Sequence, residues 1–119
     1  MATTSEIIDT LVLGLQERKG RNICVVDLST FDTAPAQAFV LATGGSPQQV
    51  EALAESAAEF CRKGLREKPS AVAGLDNAQW VAMDFGSVIL HIFLPAEREF
   101  YDLEHLWDDA KINQIPDLD

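Results

Sequence analysis

The sequence lacks the long hydrophobic run of a membrane-spanning helix. Crossing a bilayer takes about 18 or more apolar residues, and the longest candidate, residues 88–94, is interrupted by His91. The first ten residues, MATTSEIIDT, contain two acids and no base, which is untypical of a secretory or transit leader. We therefore expect a cytoplasmic protein with no membrane partner.

Cysteine and histidine are also scarce, with two of each in the chain. Cys24 lies in an apolar run and Cys61 in a helical pattern without CxxC spacing, so both are expected to be buried free thiols. A regulatory disulfide is the weaker alternative in a cytosolic protein. His91 and His105 have neither HxxxH spacing nor a cysteine neighbour. A metal site is therefore not predicted, and no cofactor is expected.

Basic residues are rare in the second part of the chain. The net charge is −10, and residues 1–68 hold seven basic against nine acidic side chains. Residues 69–119 hold only Arg98 and Lys111 against ten acids. Such a field repels a phosphate backbone and attracts a basic protein surface. We expect little direct nucleic-acid contact and a basic protein partner.

The common catalytic motifs are missing. Thr43-Gly44-Gly45-Ser46 precedes a predicted helix and is typical of an anion-binding turn, but it lacks both the Gly-Lys-Ser/Thr of a P-loop and the glycine spacing of a dinucleotide fingerprint. Metal-dependent nucleotidyl transfer would need a pair of metal-binding carboxylates on a following strand. Asp76 and Asp84 do not have that spacing. A non-enzymatic protein is predicted, with a metal-dependent nucleotidyltransferase or nucleotide-binding enzyme as the alternative.

The hydrophobic pattern predicts the order α-β-β-α-β-β-β-α. Thr3 and Glu6 form a capping box for the first helix, and Ser46-Pro47 begins the second. Short turns beside one long crossover favour an α/β (α+β) fold, with a mixed sheet of about five strands flanked by helices. Residues 1–108 are predicted to form one domain, and residues 109–119 an acidic, flexible tail. The last helix is predicted over residues 96–107.

Residues 80–107 are rich in aromatic side chains, which anchor many protein–protein contacts. Trp80, Phe85 and Tyr101 are expected to converge on one patch, and His91 to be half-buried and hydrogen-bonded. The helical spacing predicts that Phe100, Leu103, Leu106 and Trp107 pack against the sheet, whereas Arg98, Tyr101 and His105 share another face. The candidate partner-binding residues are Trp80, Met83, Asp84, Phe85, Gly86, His91, Arg98, Tyr101, Glu104 and His105.

With these motifs the chain resembles the Iojap family, the bacterial ribosomal silencing factors. The matching pieces are the strand FVLATG at 39–44 followed by Ser46, the turn Asp84-Phe85-Gly86, and the closing pattern R-x-F-Y-x-L-E-x-L-W at 98–107. The likeness spans about residues 5–108. The chain departs from the family pattern at Ser87, where an aspartate is usual, and at Gln37-Ala38, where an acidic-aromatic pair is usual. The first departure leaves one expected polar contact in doubt.

The resemblance implies a nucleotidyltransferase-like fold without transferase activity. It also implies binding to the large ribosomal subunit through the ribosomal protein numbered fourteen in that subunit. Such binding would block joining of the small subunit and repress translation under nutrient limitation. A homodimer that uses the same aromatic residues is the remaining alternative.

Overall fold

The computed structural model describes residues 2–118. The helices are α1 (Thr4–Glu17), α2 (Pro47–Leu65) and α3 (Pro95–Tyr101), and a 3₁₀ turn follows at Leu103–His105. The strands are β1 (Arg21–Asp27), β2 (Ala38–Thr43), β3 (Ala71–Ala73), β4 (Trp80–Asp84), β5 (Val88–Phe93) and β6 (Lys111–Gln114). No helix within residues 2–118 is both long enough and apolar enough to cross a membrane.

The two long helices begin at the predicted caps. The Thr3 hydroxyl accepts from the Glu6 amide at 3.1 Å, and the Glu6 carboxylate accepts from the Thr3 amide at 2.8 Å. These two hydrogen bonds complete the capping box. At α2 the Ser46 hydroxyl accepts from the Gln49 amide at 3.1 Å, with Pro47 in the first turn.

The strands form one mixed sheet in the order β3-β4-β5-β2-β1-β6. The central pair β2–β5 is parallel, because the chain crosses over through α2 between them, and the other neighbouring strands are antiparallel. The predicted mixed sheet flanked by helices is therefore confirmed. The structure adds one strand, β6, to the predicted set.

Helices α1 and α2 cover one face of the sheet. They pack closely at Gly14, where an added Cβ would lie 2.8 Å from the Ala57 Cα, and the Ser56 hydroxyl donates to the Gly14 carbonyl at 2.7 Å. The core on this face includes Leu11, Leu15, Leu53, Val40, Leu90 and Ile92. A second buried cluster lies on the opposite face: Cys24, Val26, Leu28, Phe39, Leu41 and Phe93. Cys24 and Cys61 are buried free thiols, as predicted.

The predicted helix over residues 96–107 is wrong beyond Tyr101. Asp102 has φ +47°, a left-handed conformation that ends α3. The break changes which side chains face the sheet. Phe100 and Leu106 are 80% and 58% exposed, against the prediction that they pack on it, whereas Leu103 and Trp107 are half-buried as expected.

The predicted flexible tail also differs from the structure. Lys111–Gln114 forms β6, which pairs antiparallel with β1, so that Asn113 lies opposite Val25. Ile112 packs against the second cluster. A four-residue edge strand with a single apolar residue has almost no local signal, because its pairing depends on β1. The prediction of a loose tail is therefore wrong for these residues.

Candidate docking surface

Strands β4 and β5 carry aromatic side chains on the face opposite the two long helices. Trp80 lies across from Phe93, and their rings stack with centroids 5.2 Å apart. His91 lies beside them, with the Phe39 ring edge-on at 4.7 Å. The indole Nε1 of Trp80 donates a hydrogen bond to Nδ1 of His91 at 3.1 Å. The half-buried indole is therefore fixed both by stacking and by a hydrogen bond.

His91 is more deeply buried than the sequence predicts, since only 7% of it is exposed. The predicted hydrogen bond is present. Burial lowers the pKa of His91 from 6.5 to about 4, so the ring is neutral near pH 7. Because Nδ1 accepts, the proton lies on Nε2, which has no hydrogen-bond partner within residues 2–118. His91 therefore supports Trp80 from within the fold.

Tyr101 covers Trp80 from the solvent side. The two ring centroids are 4.5 Å apart, and 46% of Tyr101 is exposed. Phe100 lies edge-on to Tyr101, with centroids 5.0 Å apart. We call Trp80, Phe100 and Tyr101 the aromatic patch. It combines exposed apolar area with a rigid base, as interface anchors do.

Acidic side chains lie on the segment that carries Phe100 and Tyr101 of the patch. Residues 95–110, which we call the C-terminal segment, contain one arginine and six acids. Four of these acids are exposed: Glu99, Asp102, Asp108 and Asp109. A basic protein surface would be complementary in charge to this segment.

Arg98 and Glu104, two of the predicted partner-binding residues, face inward. Their side chains are 11% and 17% exposed and form an ion pair at 3.1 Å. His105 is exposed, and its Nδ1 lies 2.6 Å from the Asp102 carboxylate. This hydrogen bond raises the pKa of His105. Of these three side chains, only His105 is open to solvent.

The expected convergence of Phe85 with Trp80 and Tyr101 is wrong. Phe85 and Met83 are buried in the core on the helix side of the sheet, with 9% and 4% of their surface exposed. Alternate residues of a strand face opposite sides of a sheet, so β4 points Met83 away from Trp80. Met83 and Phe85 therefore do not belong to the aromatic patch.

The turn after β4 places Asp84 and Gly86 away from the patch. The Asp84 carboxylate accepts from the Gly86 amide at 2.7 Å, and Gly86 has φ +89°. Both residues therefore have a structural role in a tight turn. They lie at the other end of β4 from Trp80.

Phe100 is the residue that the sequence interpretation missed. Its helical spacing to Leu103 and Trp107 is typical of a buried stripe, yet the break at Asp102 leaves it exposed. Trp107 belongs to the same sheet face, where its ring lies edge-on to Phe39 at 5.8 Å. The left-handed backbone of Asp102 leaves Phe100 exposed and Trp107 half-buried. The sequence around Asp102 gives no clear signal of this conformation.

Side chains of the protein itself accept hydrogen bonds from backbone amides at the glycine turn before α2. The Gln49 side-chain oxygen accepts from the Gly45 amide at 2.7 Å, and its nitrogen donates to the Lys19 carbonyl at 3.3 Å. The Ser46 hydroxyl accepts from the Gln49 amide. In the part of the chain that the structure describes, no three His, Cys, Asp or Glu side chains are grouped to hold a metal ion.

Together, the sheet and the patch define a small mixed α/β protein with an aromatic, acid-flanked face, the kind of surface that contacts another protein. The family described as "Ribosomal silencing factor during starvation" matches residues 1–119. The chain belongs to this family, whose members are regulatory proteins rather than enzymes.

Known relatives support this assignment along most of the chain. The ribosomal silencing factor of Chromobacterium violaceum is 36% identical over 109 residues, which cover 89% of this chain and 85% of the relative. The corresponding factor of Bacillus subtilis is 31% identical over 110 residues, 92% of this chain and 91% of the relative. A crystal structure of a Chromobacterium violaceum protein superposes with a TM-score of 0.84 at 33% identity, covering 97% and 91% of the two chains. The family resemblance is thereby confirmed.

Proposed function

We propose that this protein binds the large ribosomal subunit in the cytoplasm, through the ribosomal protein numbered fourteen in that subunit. Binding there blocks joining of the small subunit and represses translation when nutrients are limiting. Family membership supports the ribosome-associated silencing role. The observation that carries the docking proposal is the aromatic patch, in which the exposed Tyr101 ring packs at a tilt against the fixed indole of Trp80.

The patch supplies the apolar centre of the proposed interface. Aromatic residues that are already rigid lose little conformational entropy on binding, and Trp and Tyr are enriched among interface residues that dominate affinity. Trp80 and Tyr101, two of the predicted binding residues, lie at this centre together with Phe100. The exposed acids of the C-terminal segment steer a basic ribosomal protein toward it.

The size of the protein is sufficient to block subunit joining sterically. Its principal extents are 35 × 33 × 29 Å. Two subunits that touch through direct contacts leave no space for a body of that thickness between them. A protein docked beside the contact surface therefore excludes the second subunit without any catalytic step.

Co-sedimentation with isolated subunits tests this proposal. The purified protein should pellet with large subunits and not with small ones, and a crosslinker should join it to protein fourteen of the large subunit. Failure to pellet with large subunits, or crosslinks solely to other ribosomal proteins, would contradict it. If the patch instead mediates a homodimer, Tyr101→Ala will convert a dimer to a monomer in analytical ultracentrifugation.

A further inference from the structure

Helix α3 carries the exposed half of the aromatic patch but has little core packing of its own. It has seven residues, none of them buried, and no side-chain cap at its start. A helix this short does not persist alone in water. Long-range contacts must therefore hold Phe100 and Tyr101 in place.

Arg98 provides these contacts from the middle of α3. Its Nε donates to one carboxylate oxygen of Glu104 at 3.2 Å, and its Nη2 donates to the other at 3.1 Å. Two parallel hydrogen bonds of this kind fix both distance and orientation. The pair bridges the left-handed break at Asp102 and ties α3 to the 3₁₀ turn.

The same guanidinium joins α3 to the sheet. Nη1 donates to the Thr43 hydroxyl at 2.9 Å and to the Asn22 carbonyl, and Nη2 approaches Cys24 Sγ at 3.4 Å. Asn22 has φ +51° and lies where the register of β1 shifts, between Arg21 and Cys24. A bulge of this kind turns a carbonyl out of the strand ladder, and here that carbonyl accepts from Arg98.

All five N–H donors of Arg98 are thereby used within the protein. The guanidinium has one donor on Nε and two on each Nη, and the five acceptors lie on Glu104, Thr43, Asn22 and Cys24. With 11% of the side chain exposed, no donor remains for a partner.

We infer that Arg98 and Glu104 are positioning residues that present Tyr101, which lies one helical turn after Arg98, to the ribosome. This inference rests on the proposed function. It replaces the expectation that the two charged side chains contact the partner themselves. Their effect on binding passes through the orientation of the Tyr101 ring over Trp80.

The substitution Arg98→Lys tests the anchor because it keeps the charge and removes the paired hydrogen bonds. Arg62→Lys is the matched control, since Arg62 is also paired with a glutamate but is 53% exposed on α2. Tyr101 is the single tyrosine of the chain, so its ring signals in an NMR spectrum are assigned without ambiguity. The signals should move toward random-coil positions in Arg98→Lys and stay unchanged in Arg62→Lys. Unchanged signals in a folded Arg98→Lys variant would overturn the anchor.

Binding to large subunits separates positioning from direct contact. Arg98→Lys should weaken binding about 10-fold in the wild-type background and less than about 2-fold in a Tyr101→Ala background, because coupled residues are not additive. Equal losses in both backgrounds would overturn the inference. Glu104→Gln, with the same expected pattern, replaces Arg98→Lys if that variant does not fold. Should the wild-type protein fail to bind large subunits, the proposed function fails, while the Tyr101 signals still decide whether the anchor exists.

Discussion

The indole of Trp80 donates its N–H to Nδ1 of buried His91 at 3.1 Å. This hydrogen bond selects the tautomer of His91 with the proton on Nε2. With the tilted Tyr101 ring packed against its solvent side, the indole is held from two directions. The central ring of the aromatic patch is therefore preorganised by a histidine that itself stays out of solvent.

The burial of His91 predicts an acid-sensitive stability. The pKa of His91 falls from 6.5 to about 4 in the native state. Between these two pH values, His91 is therefore protonated in the unfolded chain and neutral in the native protein. Native stability should therefore fall as the pH drops from about 6.5 to about 4, by roughly 3 kcal/mol in total. Urea unfolding across this range should show a flatter profile for His91→Gln than for the wild type. Equal slopes would contradict the assignment.

His105 provides a control of opposite sign. The hydrogen bond to Asp102 raises its pKa, so any stabilisation is complete below pH 6.5 and is lost as the pH rises through the higher native value. The side chain is exposed, and solvent screens the interaction. In the His105→Gln variant, native stability should therefore fall between about pH 6.5 and about pH 4 as steeply as in the wild type.

Phe85 and Phe100 should differ sharply in their effect on stability. Phe85→Ala removes a ring from the helix-side core and should lower the free energy of unfolding by about 3 kcal/mol. Phe100 is 80% exposed, so Phe100→Ala should change it by less than about 0.5 kcal/mol. Chemical denaturation of the two variants measures both values. A large loss in Phe100→Ala would mean that this ring belongs to the core.

The elements that the sequence predicts well are those with local causes. The caps at Thr3 and Ser46 lie within three residues of the amides that they satisfy, so the starts of α1 and α2 can be read directly. The strand β5 has an apolar run long enough to indicate a buried strand. These features are independent of distant parts of the chain.

The features that the sequence analysis missed depend on distant residues or on backbone geometry. Arg98 looks like a surface cation until Asn22 and Thr43, 76 and 55 residues away, are placed around it. Strand β6 exists because β1 pairs with it. The placement of Met83 is different: counting alternate residues from Trp80 along β4 would have assigned it to the opposite face.

The turn before β4 should tolerate no side chain at Gly74. Gly74 has φ +92°, and an added Cβ would lie 2.0 Å from the Trp80 carbonyl oxygen. Gly86 has φ +89° but nothing within 4 Å of an added Cβ, so Gly86→Ala should cost only about 1–2 kcal/mol of backbone strain. Gly74→Ala should be the more destabilising variant in thermal unfolding and should also perturb Trp80 fluorescence. Similar melting temperatures for the two variants would contradict the close approach at Gly74.

Association with the large subunit should depend on salt. The protein carries a net charge of −10, and exposed charges are screened beyond about 10 Å at 0.1 M salt. Raising salt from about 50 to 300 mM should slow association about tenfold and change dissociation by less than about twofold. Stopped-flow fluorescence measures both rates. A salt-independent association rate would indicate an apolar contact without electrostatic steering.

Trp80 and Tyr101 should respond differently to truncation. Trp80 is half-buried and stacked on Phe93, so Trp80→Ala should weaken binding and also lower Tm. Tyr101 is 46% exposed, so Tyr101→Ala should reduce affinity while leaving Tm nearly unchanged. Differential scanning fluorimetry beside co-sedimentation separates the two effects. A large fall in Tm for Tyr101→Ala would place its ring in the core.

The most direct test of the docking account is a subunit-joining assay with the Tyr101→Ala variant. Loss of an anchor at the centre of an interface costs about 2 kcal/mol, near thirty-fold in affinity. Leu13→Ala is the matched control, since Leu13 is 57% exposed on α1, away from the patch. The wild-type protein and Leu13→Ala should block joining at the same concentration, and Tyr101→Ala should need about thirty times more. Blocking by Tyr101→Ala at the wild-type concentration would contradict the account.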